Sequence, residues 1–264
     1  MLTFLRPVWL YRGFILGNIR RDFQSRYRNS LLGAFWVILN PLAQITVYTV
    51  IFSKIMHTKL PGVESTYGYG MFLCAGILGW GLFSEIATRS QSMFLENANM
   101  LKKICFPRLC LPVIVIANGV LNFCIVFGLF TGFMIFSGLF PGLPYLALLP
   151  VVLLLVLFSA GLGLVLGVLN VFFRDVGQLF GILITFWFWL TPIVYPRNIL
   201  PAYAEPIVAM NPMTGLITAI QGVVLQGAWP DWKTLLYPAL AGILLCLLGG
   251  HLFRRHAGDM VDEL

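Results

Sequence analysis

The sequence is 264 residues long, 59% of its residues are hydrophobic and 10% are charged, and its mean hydropathy is +0.89. This composition excludes a soluble globular protein. No charged residue occurs between Arg108 and Arg174, a stretch long enough for two spanning helices of about 20 residues each. The short alternating strands of a membrane barrel are absent. We therefore predict an all-α, polytopic membrane protein with a single transmembrane domain over residues 1–264.

The formal net charge of +7 does not indicate a nucleic-acid partner. In a membrane protein, an excess of Lys and Arg mostly reflects topology, because these residues stay on the cytoplasmic side. The five cysteines show no metal-binding or redox spacing, so we interpret them as apolar filling residues and expect no disulfide.

Residues 8–28 are predicted to form an amphipathic helix that lies on the membrane surface. Apolar residues recur at every fourth position from Tyr11 to Tyr27, while five arginines supply the polar side. Two interpretations of the arginines stay open. They form either a basic anchor at the membrane interface, or a contact surface for an anionic head group or a partner protein.

Six apolar stretches are predicted to span the membrane. Gly33 permits a tight bend before the first span, and Pro41 should kink that span. The predicted spans are 34–55, 69–88, 113–136, 145–171, 176–195 and 234–253.

The segment 196–232 is interrupted by prolines, and its apolar pieces are too short to span a bilayer. We predict a re-entrant or interfacial helical hairpin on the outer side. Within the spans, Gly128 and Gly132, and likewise Gly163 and Gly167, have the four-residue spacing that allows close contact between helices.

The distribution of basic residues predicts the orientation. Thirteen of the 17 Lys and Arg residues fall on one side of the predicted spans and four on the other. Because basic residues stay on the cytoplasmic side, both termini are expected in the cytoplasm, with six spans between them.

The loop at residues 96–108, after the second predicted span, is the most basic segment between two long apolar blocks. Lys102, Lys103 and Arg108 fall within seven residues of it, and Pro107 and Pro112 interrupt its end. A charged, helix-prone segment here must face water. We interpret it as a surface that another protein holds and moves.

No catalytic pattern accompanies the predicted spans. Phosphate-binding loops and hydrolase motifs are absent, and the three histidines lie at span ends or tails. Glu85 and Arg89 lie near the cytoplasmic end of the second predicted span, so no proton or ion pathway is indicated. We therefore expect a transport subunit rather than an enzyme, with no cofactor of its own. An active transporter of this kind would draw its energy from another polypeptide.

Aromatic side chains are the remaining signal. Sugar rings present C–H faces that pack on aromatic rings, so the aromatic clusters of the first and fifth predicted spans are candidates for lining a glycan passage. Contact with lipid in an interfacial aromatic belt is the alternative, and the sequence leaves it open. The candidates are Tyr48, Phe52, Phe186, Trp187, Trp189 and Tyr195.

Four motifs occur in order along nearly the whole chain. They are RYxxSxLGxxWxxxxPL from Arg26, ENxxxxKKxxFPRxxLP from Glu96, FRD from Phe173 and NPxT from Asn211. Together with the N-terminal amphipathic helix, this set resembles the permease subunit of the ABC transporters that export polysaccharides, the Wzm-like family of O-antigen, capsule and teichoic acid exporters.

This resemblance implies a homodimer in the bacterial cytoplasmic (inner) membrane, with two ABC ATPase subunits on the cytoplasmic face that bind ATP and Mg²⁺. By analogy, the loop 96–108 contains the coupling helix that sits in a cleft of the ATPase, and the N-terminal helix touches the same subunit. The implied coupling residues are Glu96, Asn97, Asn99, Lys102, Lys103, Phe106, Pro107 and Arg108.

The resemblance also implies a substrate, a polysaccharide on a polyprenyl-pyrophosphate carrier, with the O-antigen of lipopolysaccharide expected first. The first and fifth spans would line the channel, and the hairpin 196–232 would gate it on the outer side. The lipid-pyrophosphate head group would enter at Arg26, Arg28, Leu32 and Gly33.

Three other functions stay open at this point. The first is an ABC permease for another amphiphile, such as teichoic acid, capsule, a lipid or a drug. Such relatives more often carry a large extracytoplasmic domain, which the sequence does not accommodate. The second is a channel or structural membrane protein without an ATPase. The third, a membrane-bound glycan enzyme, requires an acid or base in a membrane cavity.

Overall fold

A computed structural model describes residues 9–27, 39, 43, 46–47, 68–103 and 107–263. Two short 3-10 segments, Leu143–Ala147 and Arg197–Ile199, accompany the α-helices in this part of the chain. The α-helices are α1 Arg12–Tyr27, α2 Gly68–Glu96, α3 Ala98–Lys103, α4 Cys110–Phe136, α5 Leu148–Phe172, α6 Asp175–Leu190, α7 Glu205–Ala209, α8 Pro212–Gln226, α9 Trp232–His256 and α10 Asp259–Glu263.

Four helical stretches of the described chain are long and apolar enough to cross a membrane: α2, α4, α9 and Leu143–Phe172, which contains α5. The all-helical, multi-span architecture expected from composition is thereby confirmed. α2 continues to Glu96, well beyond the predicted span 69–88. Of the predicted span 34–55, the structure describes residues 39, 43, 46 and 47.

The fifth predicted span, 176–195, corresponds to a shorter helix. α6 ends at Leu190, and Thr191 adopts an extended backbone with φ −101° and ψ 134°. Pro192 explains this end, because proline lacks an N–H group and disfavours the helical conformation in the residue before it. The 16 residues of α6 extend about 24 Å, less than the roughly 30 Å of a bilayer core.

The long helix α2 lies at the centre of the bundle. The buried share of its apolar window is 72%, compared with 22% for α9. Helices α4, α5 and α8 pack around α2, while α9 packs mainly on α5. Phe83 of α2, Phe158 of α5 and Ile217 of α8 belong to one continuous apolar core.

Glycines set the distance between α2 and α5. A Cβ atom on Gly163 would lie 2.5 Å from Ser90 Cβ, and one on Gly167 would lie 2.5 Å from the Ser90 carbonyl oxygen. The predicted close contact is therefore confirmed for this pair. For Gly128 and Gly132, no described atom lies within 4 Å of the Cβ positions, so close contact there stays a prediction.

The predicted hairpin 196–232 contains α7 and α8, which meet at Asn211. Leu216, Ile220 and Val223 are fully buried, and α8 packs against α2. The second half of the hairpin is therefore part of the bundle core. At its start, an ion pair of 3.6 Å joins Arg197 to Glu205.

Basic residues concentrate at one end of the bundle. At this end α1 packs on the start of α4, α3 follows α2, and Met260 of α10 packs with Met93 and Phe253. Eleven of the 13 described Lys and Arg residues lie in segments at this end, whereas Arg197 and Lys233 lie at the other. We call these the basic end and the opposite end.

Candidate coupling surface and substrate groove

The short helix α3 links α2 to α4 at the basic end. Asn97 forms the turn before it, and its Nδ2 donates to the Met93 carbonyl oxygen at 2.8 Å. Met100 and Leu101 pack against the apolar cluster that contains Phe94. The apolar side of α3 is therefore held on the bundle.

The polar side of this segment faces outward. Glu96, Asn99 and Lys102 recur at every third position, and all three are exposed. Asn99 and Lys102 lie one turn apart and form the exposed polar face of α3, and Glu96 is the last residue of α2. Of the other predicted coupling residues, Pro107 and Arg108 are half-buried before α4, Lys103 lies in the last turn of α3, and Phe106 lies outside the described residues.

The amphipathic helix α1 attaches to the start of α4. Ile15 is buried and packs with Cys110 and Ile114. Leu16 and Arg20, on other sides of the helix, are exposed. Of the residues predicted to meet a lipid head group, Arg26 lies in the last turn of α1, while Arg28, Leu32 and Gly33 lie outside the described residues.

Two sets of polar contacts join α2 to α4 near the basic end. In the first set, Asn122 Nδ2 donates to Glu85 Oε2 at 2.7 Å. In the second set, Asp22 Oδ2 accepts from Arg89 Nη2 at 2.5 Å and from Asn118 Nδ2 at 2.9 Å. Glu85 and Arg89 are one helical turn apart on α2, with 3.8 Å between Oε1 and Nη1. Asp22 of α1 therefore bridges two spanning helices.

A groove of about 480 Å³ opens between α2 and α6 beside these polar contacts. Its charged groups, Glu85 and Arg89, lie toward the basic end, and its aromatic rings lie farther from that end. Rings combined with a few polar groups suit a ligand that has both apolar and hydroxyl-bearing faces. The lining residues are Trp80, Ser84, Glu85, Thr88, Arg89, Ile184, Thr185, Phe188 and Trp189.

The aromatic residues predicted to line a channel lie in different places in the structure. Trp189 lines the groove and is 61% exposed. Phe186 and Trp187 both line a second cavity of about 450 Å³ between α5 and α6, and the ring of Trp187 also lies 5.2 Å from that of Phe83. Successive residues on a helix point about 100° apart, and the run is divided between the groove and the second cavity. Tyr195 donates its hydroxyl to the Trp189 carbonyl oxygen at 2.8 Å, and Tyr48 and Phe52 lie outside the described residues.

Asn211 of the NPxT motif ties α6 to α8. Its Oδ1 accepts from the backbone N–H of Met213 at 3.0 Å and from Trp187 Nε1 at 2.8 Å. Its Nδ2 donates to Thr191 Oγ1 at 2.9 Å. One side chain therefore caps α8 and fixes the end of α6, where the chain enters the hairpin.

A family comparison identifies the chain. The model of the ABC-2 type transporter family matches residues 15–225, about four-fifths of the sequence. The chain belongs to this family. The matched segment begins in the first turn of α1 and ends in the last turn of α8, so it contains the α3 face, the groove and the Asn211 junction of this ABC-2 protein.

Relatives of the ABC-2 chain include polysaccharide transport proteins. An O-antigen export system permease protein of Myxococcus xanthus is 28% identical over 267 residues, covering all of both chains. One of the same name from Klebsiella pneumoniae is 29% identical, covering 89% of this chain and 88% of the relative. The polysialic acid transport protein KpsM of Escherichia coli is 24% identical, covering 92% of this chain and 93% of the relative.

Sequence reasoning about this ABC-2 chain missed the residues that α1 and α4 bring to Arg89. Asp22 lies among five arginines of the amphipathic segment, where a single carboxylate does not stand out. Asn118 and Asn122 lie one turn apart in an otherwise apolar span, as do Glu85 and Arg89 in the preceding one. The equal spacing of these two polar pairs could have indicated a contact between the two spans. Which residue bonds to which follows only from the packing.

Proposed function

We propose that the chain is the channel-forming subunit of an ATP-driven ABC transporter that exports a polyprenyl-pyrophosphate-linked polysaccharide, of O-antigen type, across the bacterial cytoplasmic membrane. The observation that carries this proposal is the alignment, over the whole of both chains, with an O-antigen export permease. The arrangement of the described residues supports the proposed orientation in the membrane and the docking face.

The proposed topology has six spans and both termini in the cytoplasm. The concentration of 11 of 13 described basic residues at one end supports this orientation, because Lys and Arg are retained on the cytoplasmic side. In this orientation α1, α3 and α10 lie at the cytoplasmic face. The Asn211 junction and the hairpin lie outside, where α8 fits a re-entrant helix better than an interfacial one, since it is buried against α2.

Two copies of this chain would bind two ATPase subunits, which hold the ATP and Mg²⁺. The exposure of Glu96, Asn99 and Lys102 supports docking at α3. The apolar side of α3 already packs on the bundle, so its polar side is the one that can contact a partner. Closure of the ATPase dimer on ATP would then push α3 and bias the membrane helices between two arrangements.

The substrate path would begin at the C-terminal end of α1. Arginine forks bind phosphate oxygens well, and Arg26 and Arg28 stand at this position in the sequence. The glycan would then pass aromatic rings, among which Trp189 lines the groove. Stacking tolerates different sugars, as a polymer in transit requires.

Deletion of the gene in its host tests the proposal. We expect surface polysaccharide to disappear and lipid-linked glycan to accumulate in the cytoplasm, with both effects reversed by the gene on a plasmid. An unchanged surface glycan in a strain without a second exporter would contradict polysaccharide export.

A second candidate substrate is a capsule-type polymer rather than O-antigen. The similarity to a polysialic acid transport protein over 92% of this chain favours keeping it. The same deletion distinguishes the two substrates. If the chain exports a capsule-type polymer, the capsule is lost from the surface and the O-antigen is retained. Export of teichoic acid, a lipid or a drug would leave both polymers in place.

A further inference from the structure

Asp22 lies where the amphipathic helix meets two spanning helices. Its carboxylate accepts hydrogen bonds from Arg89 and Asn118, which are 67 and 96 positions away in the sequence. Arg89 belongs to α2 and Asn118 to α4. A single side chain of α1 is thus bonded to both neighbouring helices at the basic end.

The attachment of α1 has a second, apolar point. Ile15 packs with Cys110 and Ile114 at the start of α4. Asp22 follows Ile15 by seven residues, which is about two turns, so the two side chains share one face of α1 roughly 10 Å apart. Two points of attachment fix the direction of the helix as well as its position.

We propose that Asp22 is a positioning residue that makes α1, α2 and α4 move as one body, so that a displacement of α1 by the ATPase reaches the groove through Arg89. The proposal rests on the proposed function for the presence of that ATPase. Arg89 lines the groove, and its neighbour Glu85 does so too. Movement of α1 therefore moves the charged wall of the groove directly.

The exposure of the ion pair indicates that it contributes little to the stability of the fold. The side chains of Arg89 and Asp22 are 33% and 37% exposed. Ion pairs that water partly screens add little to the stability of a fold. Losing the carboxylate should therefore leave the bundle assembled while freeing one end of α1. A purely structural residue would instead lower the amount of the complex.

Cys110 supplies a native reporter for this attachment. Its side chain is fully buried beneath Ile15 and Ile114 in the small cluster that holds α1. Lifting of α1 would remove Ile15 from it and expose the thiol to a maleimide. In a background where Cys74, Cys105, Cys124 and Cys246 are replaced by alanine, the labelling rate therefore measures docking of α1 without reference to the transported substrate.

The experiment compares Asp22→Asn, the exchange variant Asp22→Arg with Arg89→Asp, and Lys233→Gln as the control. Lys233 is an exposed charged residue at the opposite end, at the start of α9. Each variant is produced with its ATPase, and three quantities are measured: the rate of maleimide labelling at Cys110, ATP hydrolysis, and surface polysaccharide in the host.

We expect Asp22→Asn to speed Cys110 labelling about fivefold, corresponding to the loss of about 1 kcal/mol of attachment. Surface polysaccharide should fall severalfold while ATP hydrolysis continues. The exchange variant restores the ion pair but not the bond from Asn118, so it should recover both quantities in part. Lys233→Gln should match the wild type.

Unchanged labelling in Asp22→Asn, or faster labelling with undiminished export, would overturn the proposal. If Asp22→Asn fails to assemble, the exchange variant decides: recovery of labelling and export supports the pairing, and failure to recover overturns it. Failure of the proposed function is visible separately, because gene deletion would then leave the polysaccharide unchanged while the labelling rates still report on α1.

Discussion

Asn211 shows how much one side chain contributes at the junction of α6 and α8. It caps α8 through the Met213 N–H, and it also accepts from Trp187 Nε1 and donates to Thr191. An N-cap contributes about 1 kcal/mol. A buried donor left without its acceptor costs roughly a further 1–3 kcal/mol. Together these terms make Asn211 a principal support of this end of the bundle.

We predict that Asn211→Ala lowers the melting temperature of the purified permease by several degrees. The reason is the loss of the cap together with the unpaired indole N–H, and differential scanning fluorimetry measures it. Asn211→Asp keeps both accepted bonds and loses the donated one, so its melting temperature should lie between those of Asn211→Ala and the wild type. Equal melting temperatures for Asn211→Ala and wild type would contradict this account.

At the scale of helices, the contact between α2 and α5 depends on the absence of side chains on α5. Placing an atom on Gly163 brings it 2.5 Å from Ser90 Cβ, and the helices would have to separate. Overpacking of this kind costs about 1–3 kcal/mol. Glycine to alanine in an unobstructed helix interior instead stabilises by about 0.5–1 kcal/mol. Replacing glycine by alanine should therefore destabilise the protein where the Cβ position is obstructed and stabilise it where that position is open.

Gly163→Ala is accordingly expected to lower the melting temperature by several degrees, and Gly128→Ala to leave it unchanged or raise it slightly. Gly128 is the matched control, since no described atom lies within 4 Å of its Cβ position. Thermal unfolding followed by intrinsic tryptophan fluorescence measures both. Equal losses in the two variants would show that helix propensity or an unrecognised contact, rather than the α2–α5 distance, governs the result.

At the scale of the whole molecule, the two ends of the bundle differ in charge. Lys102 lies on the exposed face at the basic end, and Lys233 is exposed at the opposite end, at the start of α9. If the ATPase docks at the basic end, reversing charge there disturbs the electrostatic match between the partners. The same change at the opposite end leaves that match intact.

The double variant Lys102→Glu, Lys103→Glu is therefore expected to reduce co-purification of the ATPase severalfold without preventing membrane insertion. Lys233→Glu provides the control and should co-purify the ATPase at the wild-type level. Quantitative immunoblotting of affinity-purified permease measures the ratio of the two subunits. An unchanged ratio in the double variant would remove α3 from the docking surface.

Composition and linear pattern were sufficient for the class of the protein and for most of its helices. The apolar stretches predicted α2, α4, α5 and α9, and the motif set led to the family that the comparison confirms. Two errors have local causes. Pro192 ends α6 at Leu190 earlier than hydropathy suggests, and hydropathy does not register that α2 continues as far as Glu96.

Features that depend on neighbours along the chain can be read from the sequence: hydropathy, helical period, the proline that ends α6 and the run of basic residues at 96–108. Which helix faces meet follows only from the packing of the folded chain. Trp187 packs against Phe83 while Trp189 lines the groove, Gly163 contacts α2 while Gly128 contacts no described residue, and Asp22 bonds to Arg89 across 67 residues. The physical reason is that helix period places each side chain on a face, but only packing assigns that face a partner.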